Sequence, residues 1–202
     1  MDYNLDKLRE RLKRRGFNAI VCNDKQEVVR FIIEMFPVDS DMIIGMGNSL
    51  TLKTLGLKEI FGEKVSAIYE HTPGCLENET KKALLADIYL TSANAISYDG
   101  HIVNIDGTGN RVAATCYGPA QVIYVIGKNK IAESLEEAIK RAQNTAAVEN
   151  AKRYNRKTPC AITGKCVDCL SPECICSVMS IHRRQPYGLK ITVILVNEDL
   201  GL

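Results

Sequence analysis

The chain has 202 residues, of which 46% are hydrophobic and 25% are charged, and it carries a net charge of +2. These values are typical of one globular domain with a core of normal size, which needs no disulfide framework. The small net charge and the absence of tryptophan argue against a nucleic-acid-binding protein.

The N-terminal stretch MDYNLDKLRERLKRRG is polar and charged, and it contains no apolar signal region. No apolar run in the sequence approaches the roughly 20 residues that span a bilayer. We therefore expect a cytoplasmic protein without a membrane partner. Stable disulfides are rare in that compartment, which matters for the eight cysteines of the chain.

Helical and extended patterns alternate along the sequence. Periodic leucines predict a first helix from Leu5 to a stop signal at Gly16, and Asp24 with Glu27 forms a capping box for a second. Further helices are predicted at 50–57, 77–86, 111–118 and 133–154. Strands are predicted at 17–22, 41–45, 65–71, 87–93, 121–127 and 191–197, with a short extended piece at 101–105.

This alternation predicts an α/β domain with a mainly parallel sheet flanked by helices. We interpret residues 1–202 as a single domain, with 158–177 as a cysteine-rich loop inserted before the last strand. Ligands of such sheets bind beyond the carboxyl ends of the strands. The loops expected there are GMGNS, HTPGC, TSANAIS, IDGTGNR and GKNK.

The loop GMGNSLTL (45–52) follows a predicted strand and opens a helix. Gly45 and Gly47 let the backbone approach a ligand closely, while Asn48 and Ser49 supply polar groups for an anion. The loop is neither a P-loop nor a GxGxxG fingerprint, because the required lysine and third glycine are missing. A plain strand-to-helix turn explains the stretch equally well.

The stretch NIDGTGNRVAA (104–114) concentrates polar groups and glycines. Asp106 can accept a ligand hydroxyl, and the backbone amides between Gly107 and Gly109 can bind phosphate or carboxylate. Asn104 and Asn110 flank them. The alternative is an Asx turn that caps the following helix, although such a turn does not need so many polar side chains.

Two other strand ends carry candidate groups. In GKNK, either Lys128 or Lys130 can neutralise an anionic ligand, and we select Lys128 as the candidate. In EHTPGC, the side chains of Glu70, His71 and Cys75 stand close in sequence, an arrangement that is more often structural than catalytic. No nucleophile elbow of the G-x-S-x-G type is present, so the motifs do not predict a hydrolase.

Five of the eight cysteines lie in one short segment with the spacing C-x5-C-x2-C-x4-C-x-C. They are Cys160, Cys166, Cys169, Cys174 and Cys176. The single C-x2-C pair has the short bite of zinc and iron–sulfur sites. Free thiols, a redox dithiol and disulfides remain the alternatives to a metal or cluster.

The motifs IGMGNSLTLKTLGL, TSANAISYDGHIVNIDGTGNRVAATCYGPAQVIYVIGKNKI and TPCAITGKCVDC resemble, in order and spacing, the LUD (lactate utilization protein, LutC-like) domain family, formerly DUF162. The resemblance covers about 18–202 and is closest to short stand-alone members that end in a cysteine-bearing segment. It implies a NagB/RpiA/CoA-transferase-like fold and a role in L-lactate utilization beside iron–sulfur oxidoreductase partners.

The same resemblance selects Cys160, Cys166, Cys169 and Cys176 as ligands of a [4Fe–4S] cluster or zinc, because family members usually lack a cysteine at the position of Cys174. It also implies a homo-oligomer. A wider resemblance to sugar-phosphate isomerases places Asn94 where those enzymes carry a proton-transferring aspartate. An amide cannot act as a general base, so the isomerase mechanism does not carry over, whereas an anion-binding role for Asn94 does.

Three functions are compatible with these observations. The first is a component of 2-hydroxy-acid metabolism that binds a small anion at the strand-end loops. The second is a small-molecule enzyme of the isomerase or acyl-transferase type on the same fold. The third is a non-catalytic ligand-binding scaffold in which the cysteines hold a structural zinc ion.

Overall fold

A computed structural model of the protein describes residues 3–35, 41–62, 64–70 and 77–202. The main sheet has six strands in the order β1-β10-β7-β4-β2-β3, and all its neighbouring pairs are parallel. The strands are β1 (Asn18–Cys22), β2 (Ile43–Met46), β3 (Ala67–Glu70), β4 (Ile88–Thr91), β7 (Gln121–Gly127) and β10 (Lys190–Val196). The predicted α/β fold with a mainly parallel sheet is confirmed.

In the described part of the chain, the first helix precedes β1 and the other helices lie between the strands of the main sheet. The helices are α1 (Leu5–Arg14), α2 (Lys25–Met35), α3 (Leu50–Leu55), α4 (Leu57–Phe61), α5 (Glu77–Lys82), α6 (Asn110–Cys116), α7 (Leu135–Arg141), α8 (Ala147–Arg153) and α9 (Pro159–Thr163). One half of the predicted capping box at α2 is present, since the backbone amide of Glu27 donates to the Asp24 carboxylate over 2.8 Å; the Glu27 carboxylate accepts the backbone amide of Asn23 over 2.7 Å. Gly56, at a φ of 62°, breaks the segment predicted as one helix into α3 and α4.

A second, four-stranded sheet has the order β8-β5-β6-β9. It consists of β5 (Ala95–Ser97), β6 (Ile102–Asp106), β8 (Ile131–Ala132) and β9 (Val178–His182). The sequence predicts β6 as an extended piece but none of the other three. Strands of two or three residues carry too little alternation to be recognised, and β9 directly follows the cysteine-rich segment.

The main sheet is buried on both faces, which explains why its central strands are continuously apolar. Along β7, Val122 and Tyr124 join a core formed with α1 and the second sheet, whereas Ile123 and Val125 join a core formed with α2, α3 and α4. Alternate residues of one strand thus serve two cores.

The long helix predicted at 133–154 is interrupted. A π-helical turn, Ala142–Ala146, separates α7 from α8. Such turns insert an extra residue into a helix and occur often at functional sites. Within the described ranges, no helix combines the length and the hydrophobicity that crossing a bilayer requires.

Candidate functional site

A cavity of about 60 Å³ opens at the carboxyl edge of β7, β4 and β2, which are neighbours in the main sheet. The chain changes direction across the sheet here, because β3 lies on one side of β2 and β7 lies on the far side of β4. Such a switch point is where parallel sheets bind ligands. The lining residues are Asn48, Ser49, Leu50, Ser92, Ala93, Asn94, Arg111, Lys130, Ala146, Asn150, Arg153 and Leu202.

The lining is basic. Arg111, Lys130 and Arg153 face the cavity, and no aspartate or glutamate is among its described lining residues. Within the described part of the chain, none of the three makes an ion pair with a carboxylate. Buried or half-buried cations that lack a counter-ion favour an anionic ligand.

Arg111 is held by neutral acceptors. Its Nη1 donates to the Asn104 side-chain oxygen at 2.7 Å and to the Ser92 carbonyl at 3.3 Å. Its Nη2 donates to the Asn94 side-chain oxygen at 2.9 Å and to the Ile105 carbonyl at 2.6 Å. These bonds leave Arg111 with its full positive charge but with few free donors, so it contributes mainly an electrostatic potential to the cavity.

Asn94 and Asn104 therefore position Arg111. The Asn94 oxygen also accepts the backbone amide of Ile105 at 2.9 Å, and the Asn104 amide nitrogen donates to the Tyr124 hydroxyl at 3.0 Å. Asn104 is fully buried. The polar cluster that connects β4, β6 and α6 thus fixes one wall of the cavity.

Lys130 lies at the end of the short 3₁₀ turn that follows β7. Its side chain is only 4% exposed, and its Nζ donates to the hydroxyls of Thr51 and Ser92 at 2.9 Å each. Burial, reinforced by the positive charges of Arg141 and Arg111, lowers the pKa of Lys130 to about 7. The amine therefore exchanges a proton near neutral pH.

Arg153 and Asn48 carry unused polar atoms. Arg153 stacks over the ring of Tyr154 at 4.5 Å and donates from Nη2 to its hydroxyl at 2.8 Å. Its Nε and the Asn48 side-chain oxygen are buried and have no hydrogen-bond partner among the described residues. A buried donor without a partner costs about 1–3 kcal/mol, so a ligand or an ordered water that satisfies the Arg153 Nε stabilises the site.

The glycines of the first loop serve close packing. A Cβ added at Gly47 meets the Thr91 hydroxyl at 3.0 Å and the Arg111 Cδ at 3.1 Å. Gly47 therefore lets the loop approach Arg111. Gly45 lies inside β2, one residue before the strand ends. Ser49 precedes α3 and makes no side-chain capping bond, which leaves its hydroxyl beside the cavity.

The remaining sequence candidates lie away from the cavity lining. Asp106 accepts the backbone amides of Thr108, Arg111 and Val112, so its carboxylate caps the start of α6. Gly107 and Gly109 pack beside the cysteine-rich segment, near Ile175 and Val178. Asn110 begins α6 with a buried, unpartnered side-chain oxygen, and Lys128 is exposed. The ligand-binding roles assigned to these residues stay predictions.

Sequence reasoning did not select the three basic residues of the lining. The loop GKNK offers both Lys128 and Lys130, and its sequence does not show that Lys130 is the buried one of the two. Arg111 is the first basic residue after the glycine-rich stretch, which is a usable signal. Arg153 comes from α8, far away in sequence, and an arginine on an amphipathic helix normally indicates a solvated face.

The thiols of the cysteine-rich segment lie close together in part. The sulfurs of Cys174 and Cys176 are 3.2 Å apart. The pKa of Cys176 is raised to about 12, first by burial and then by the neighbouring thiols of Cys174, Cys166 and Cys160. All five cysteines of the segment are free thiols.

In the described residues, however, no group of three or more His, Cys, Asp or Glu side chains is positioned to hold a metal ion. The arrangement does not fit a four-thiolate site as it stands, and we derive no chemistry from a metal or cluster here. The assignment of Cys160, Cys166, Cys169 and Cys176 as ligands stays a prediction.

The candidate loop EHTPGC is only partly described. Glu70 ends β3 and pairs with Lys58 at 3.0 Å, which accounts for its charge. His71 and Cys75 lie outside the described residues.

One of two similar solved structures supports this architecture. A crystal structure of a DUF162 family protein from Deinococcus radiodurans matches with a TM-score of 0.54 at 15% sequence identity, over 96% of each chain. The eIF2B beta structure from Chaetomium thermophilum matches with a TM-score of 0.36 at 14% identity, over 55% of this chain and 43% of that one. No curated protein matches the sequence. The family model described as "LUD domain" matches residues 5–196, and the chain therefore belongs to the LUD domain family.

Proposed function

We propose that the protein binds a small carboxylate, of the 2-hydroxy-acid class that includes lactate, and that it takes part in the utilization of such acids. The single observation that carries this proposal is the cavity at the switch point, which is lined by three cationic side chains and, among the described residues, by no aspartate or glutamate. Membership of the LUD domain family agrees with the choice of acid.

The size of the cavity limits the ligand. A volume of about 60 Å³ holds several water molecules or a short acid of a few heavy atoms, because one water needs roughly 10–15 Å³ on the same scale. A nucleotide or a long acyl chain does not fit without rearrangement. The lining is also rich in hydroxyl and amide groups, which suits a ligand that carries a hydroxyl beside its carboxylate.

The hydrogen bonds indicate a different role in ligand binding for each polar side chain around the cavity. Arg153 offers its free Nε–H to a carboxylate oxygen, and Arg111 adds a fixed positive charge because its terminal nitrogens are already engaged. Asn48 offers an unpaired side-chain oxygen that can accept the ligand hydroxyl. A ligand that has a hydroxyl but no carboxylate gains little binding free energy from this arrangement.

Isothermal titration calorimetry with L-lactate tests the proposal. We expect binding by the wild-type protein and no binding of methyl lactate, which keeps the hydroxyl but loses the charge. Arg153→Gln should weaken lactate binding roughly 10- to 100-fold, the value of one hydrogen bond to a charged group. The matched control is Arg156→Gln, an exposed arginine three residues further along, which should bind as wild type does.

Two results contradict the proposal. Equal affinity for lactate and its methyl ester shows that charge does not determine binding. Equal loss of affinity in Arg153→Gln and Arg156→Gln shows that the site lies elsewhere.

A further inference from the structure

The buried amine of Lys130 points to chemistry beyond binding. We propose that Lys130 is a nucleophile that forms an imine with the carbonyl carbon of a short 2-oxo acid held in the cavity. This inference rests on the proposed function, since it needs the carboxylate of the acid to be bound beside the amine. It extends that function from a 2-hydroxy acid to its oxidised counterpart.

A purely structural role does not account for Lys130. Buried lysines are normally paired with a carboxylate, whereas this amine is 4% exposed and bonded only to two hydroxyls among the described residues. An apolar side chain of similar length fills the same space without the cost of burying an amine. A buried amine that is kept beside a ligand-sized cavity, despite the cost of its burial, is typical of a functional group.

The protonation state suits a nucleophile. The charged groups that influence the amine are Arg141 and Arg111, with burial as the larger effect, and Arg153 faces the same cavity. All of them are positive and oppose the ammonium form. The lowered pKa leaves about half of the amine unprotonated near neutral pH, whereas an ordinary lysine is almost wholly protonated there.

The hydrogen bonds leave the lone pair available. The Thr51 hydroxyl donates to the Leu200 carbonyl at 3.2 Å, so its oxygen accepts an N–H bond from Lys130. When the Ser92 hydroxyl accepts the second N–H, the third position on nitrogen is the lone pair. The two hydroxyls thus orient the amine without consuming the electrons that attack a carbonyl.

The chemical step is balanced without an additional reactant. The nitrogen lone pair attacks the carbonyl carbon and forms the C–N bond, and the carbonyl oxygen takes up the two amine protons. That oxygen leaves as water, which yields the C=N bond. Water reverses the reaction and releases the 2-oxo acid. The reaction that supplies this ligand is the oxidation of a 2-hydroxy acid.

Borohydride trapping tests the inference on the intact wild-type protein. Incubation with pyruvate and sodium borohydride should convert the imine into a stable secondary amine. Mass spectrometry of the digested protein should find the adduct on Lys130. L-Lactate with borohydride should give no adduct, because it has no carbonyl group.

Variants separate specific from random labelling. Lys130→Met should lose the adduct, and Lys53→Met, at an exposed position of α3, should keep it. Circular dichroism checks that Lys130→Met is folded. Labelling spread over surface lysines, or undiminished in Lys130→Met, overturns the inference.

Calorimetry distinguishes a failure of the imine inference from a failure of the proposed function. Binding of lactate and pyruvate without any trapped adduct refutes the imine and leaves anion binding intact. If neither acid binds, the proposed function fails and the imine with it.

Discussion

Replacing Lys130 with methionine should make the protein more stable near neutral pH, although it removes two hydrogen bonds. The pKa of Lys130 falls from its usual 10.5 to about 7 on folding, because burial disfavours the ammonium ion. At about 1.36 kcal/mol per pKa unit, this shift costs the folded state on the order of 4–5 kcal/mol near neutral pH. Methionine has a similar length and no charge to desolvate.

The loss of two hydrogen bonds reduces the stability that Lys130→Met gains. Each bond from Lys130 to Thr51 and Ser92 contributes about 1 kcal/mol to stability. Thr51 keeps a second partner in the Leu200 carbonyl, so its hydroxyl is not left unsatisfied. We therefore expect Lys130→Met to raise the free energy of unfolding by about 2–3 kcal/mol near neutral pH.

The effect should depend on pH with a definite sign. Below about pH 7 both the folded and the unfolded protein hold the proton, and the full penalty applies to the wild type. Above about pH 10.5 the amine is neutral in both states and the penalty disappears. The wild type should therefore gain stability relative to Lys130→Met as the pH rises between these values.

Urea unfolding followed by circular dichroism measures this difference. Comparing the two proteins at each pH cancels the titration of tyrosines and cysteines that both share. Lys128→Met, at an exposed position, should change stability by less than about 0.5 kcal/mol at any pH. A Lys130→Met protein that is less stable than wild type, or a stability difference that does not change with pH, refutes the description of Lys130 as a desolvated amine.

Three other changes test separate parts of the structure. Asn94→Asp should weaken lactate binding at least tenfold by calorimetry, because it adds a carboxylate that pairs with Arg111 and neutralises the site; unchanged affinity contradicts the electrostatic role of Arg111. Gly107→Ala should lower the free energy of unfolding by about 1–3 kcal/mol in urea titrations, because the new Cβ lies 2.9 Å from the Ile175 Cα; wild-type stability shows that the segment moves aside freely. Anaerobically purified protein should contain zinc, or iron with sulfide, in elemental analysis if the four-thiol prediction holds, and Cys169→Ser but not the control Cys116→Ser should lose it; metal-free wild type refutes the prediction.

The sequence predicts the main sheet well and the second sheet poorly. Long apolar strands such as β7 and β10 bury both faces, and their composition alone distinguishes them from helices. Strands such as β8, with two residues, exist because neighbouring strands are placed beside them by the rest of the fold. Their sequences hold no information about that placement.

The candidate site, too, can be predicted from the sequence only in part. Asn48 and Asn94 follow buried strands directly, so their position at the carboxyl edge could be predicted from the strands themselves. Arg153 reaches the cavity from α8, and only the packing of α7 and α8 against the second sheet brings it there. The direction of a side chain within one short turn is also beyond sequence reasoning, as the exposed Lys128 and the buried Lys130 demonstrate.

The π-helical turn at Ala142–Ala146 determines which side of α8 faces the cavity. Each α-helical residue rotates the next by about 100°, so one inserted residue turns the whole downstream helix by about that angle. Deleting a residue from this turn would swing Arg153 and Asn150 out of the cavity and bring neighbouring side chains into their place. One residue in this turn thus sets the rotational phase of α8, and with it the side chains that α8 contributes to the cavity.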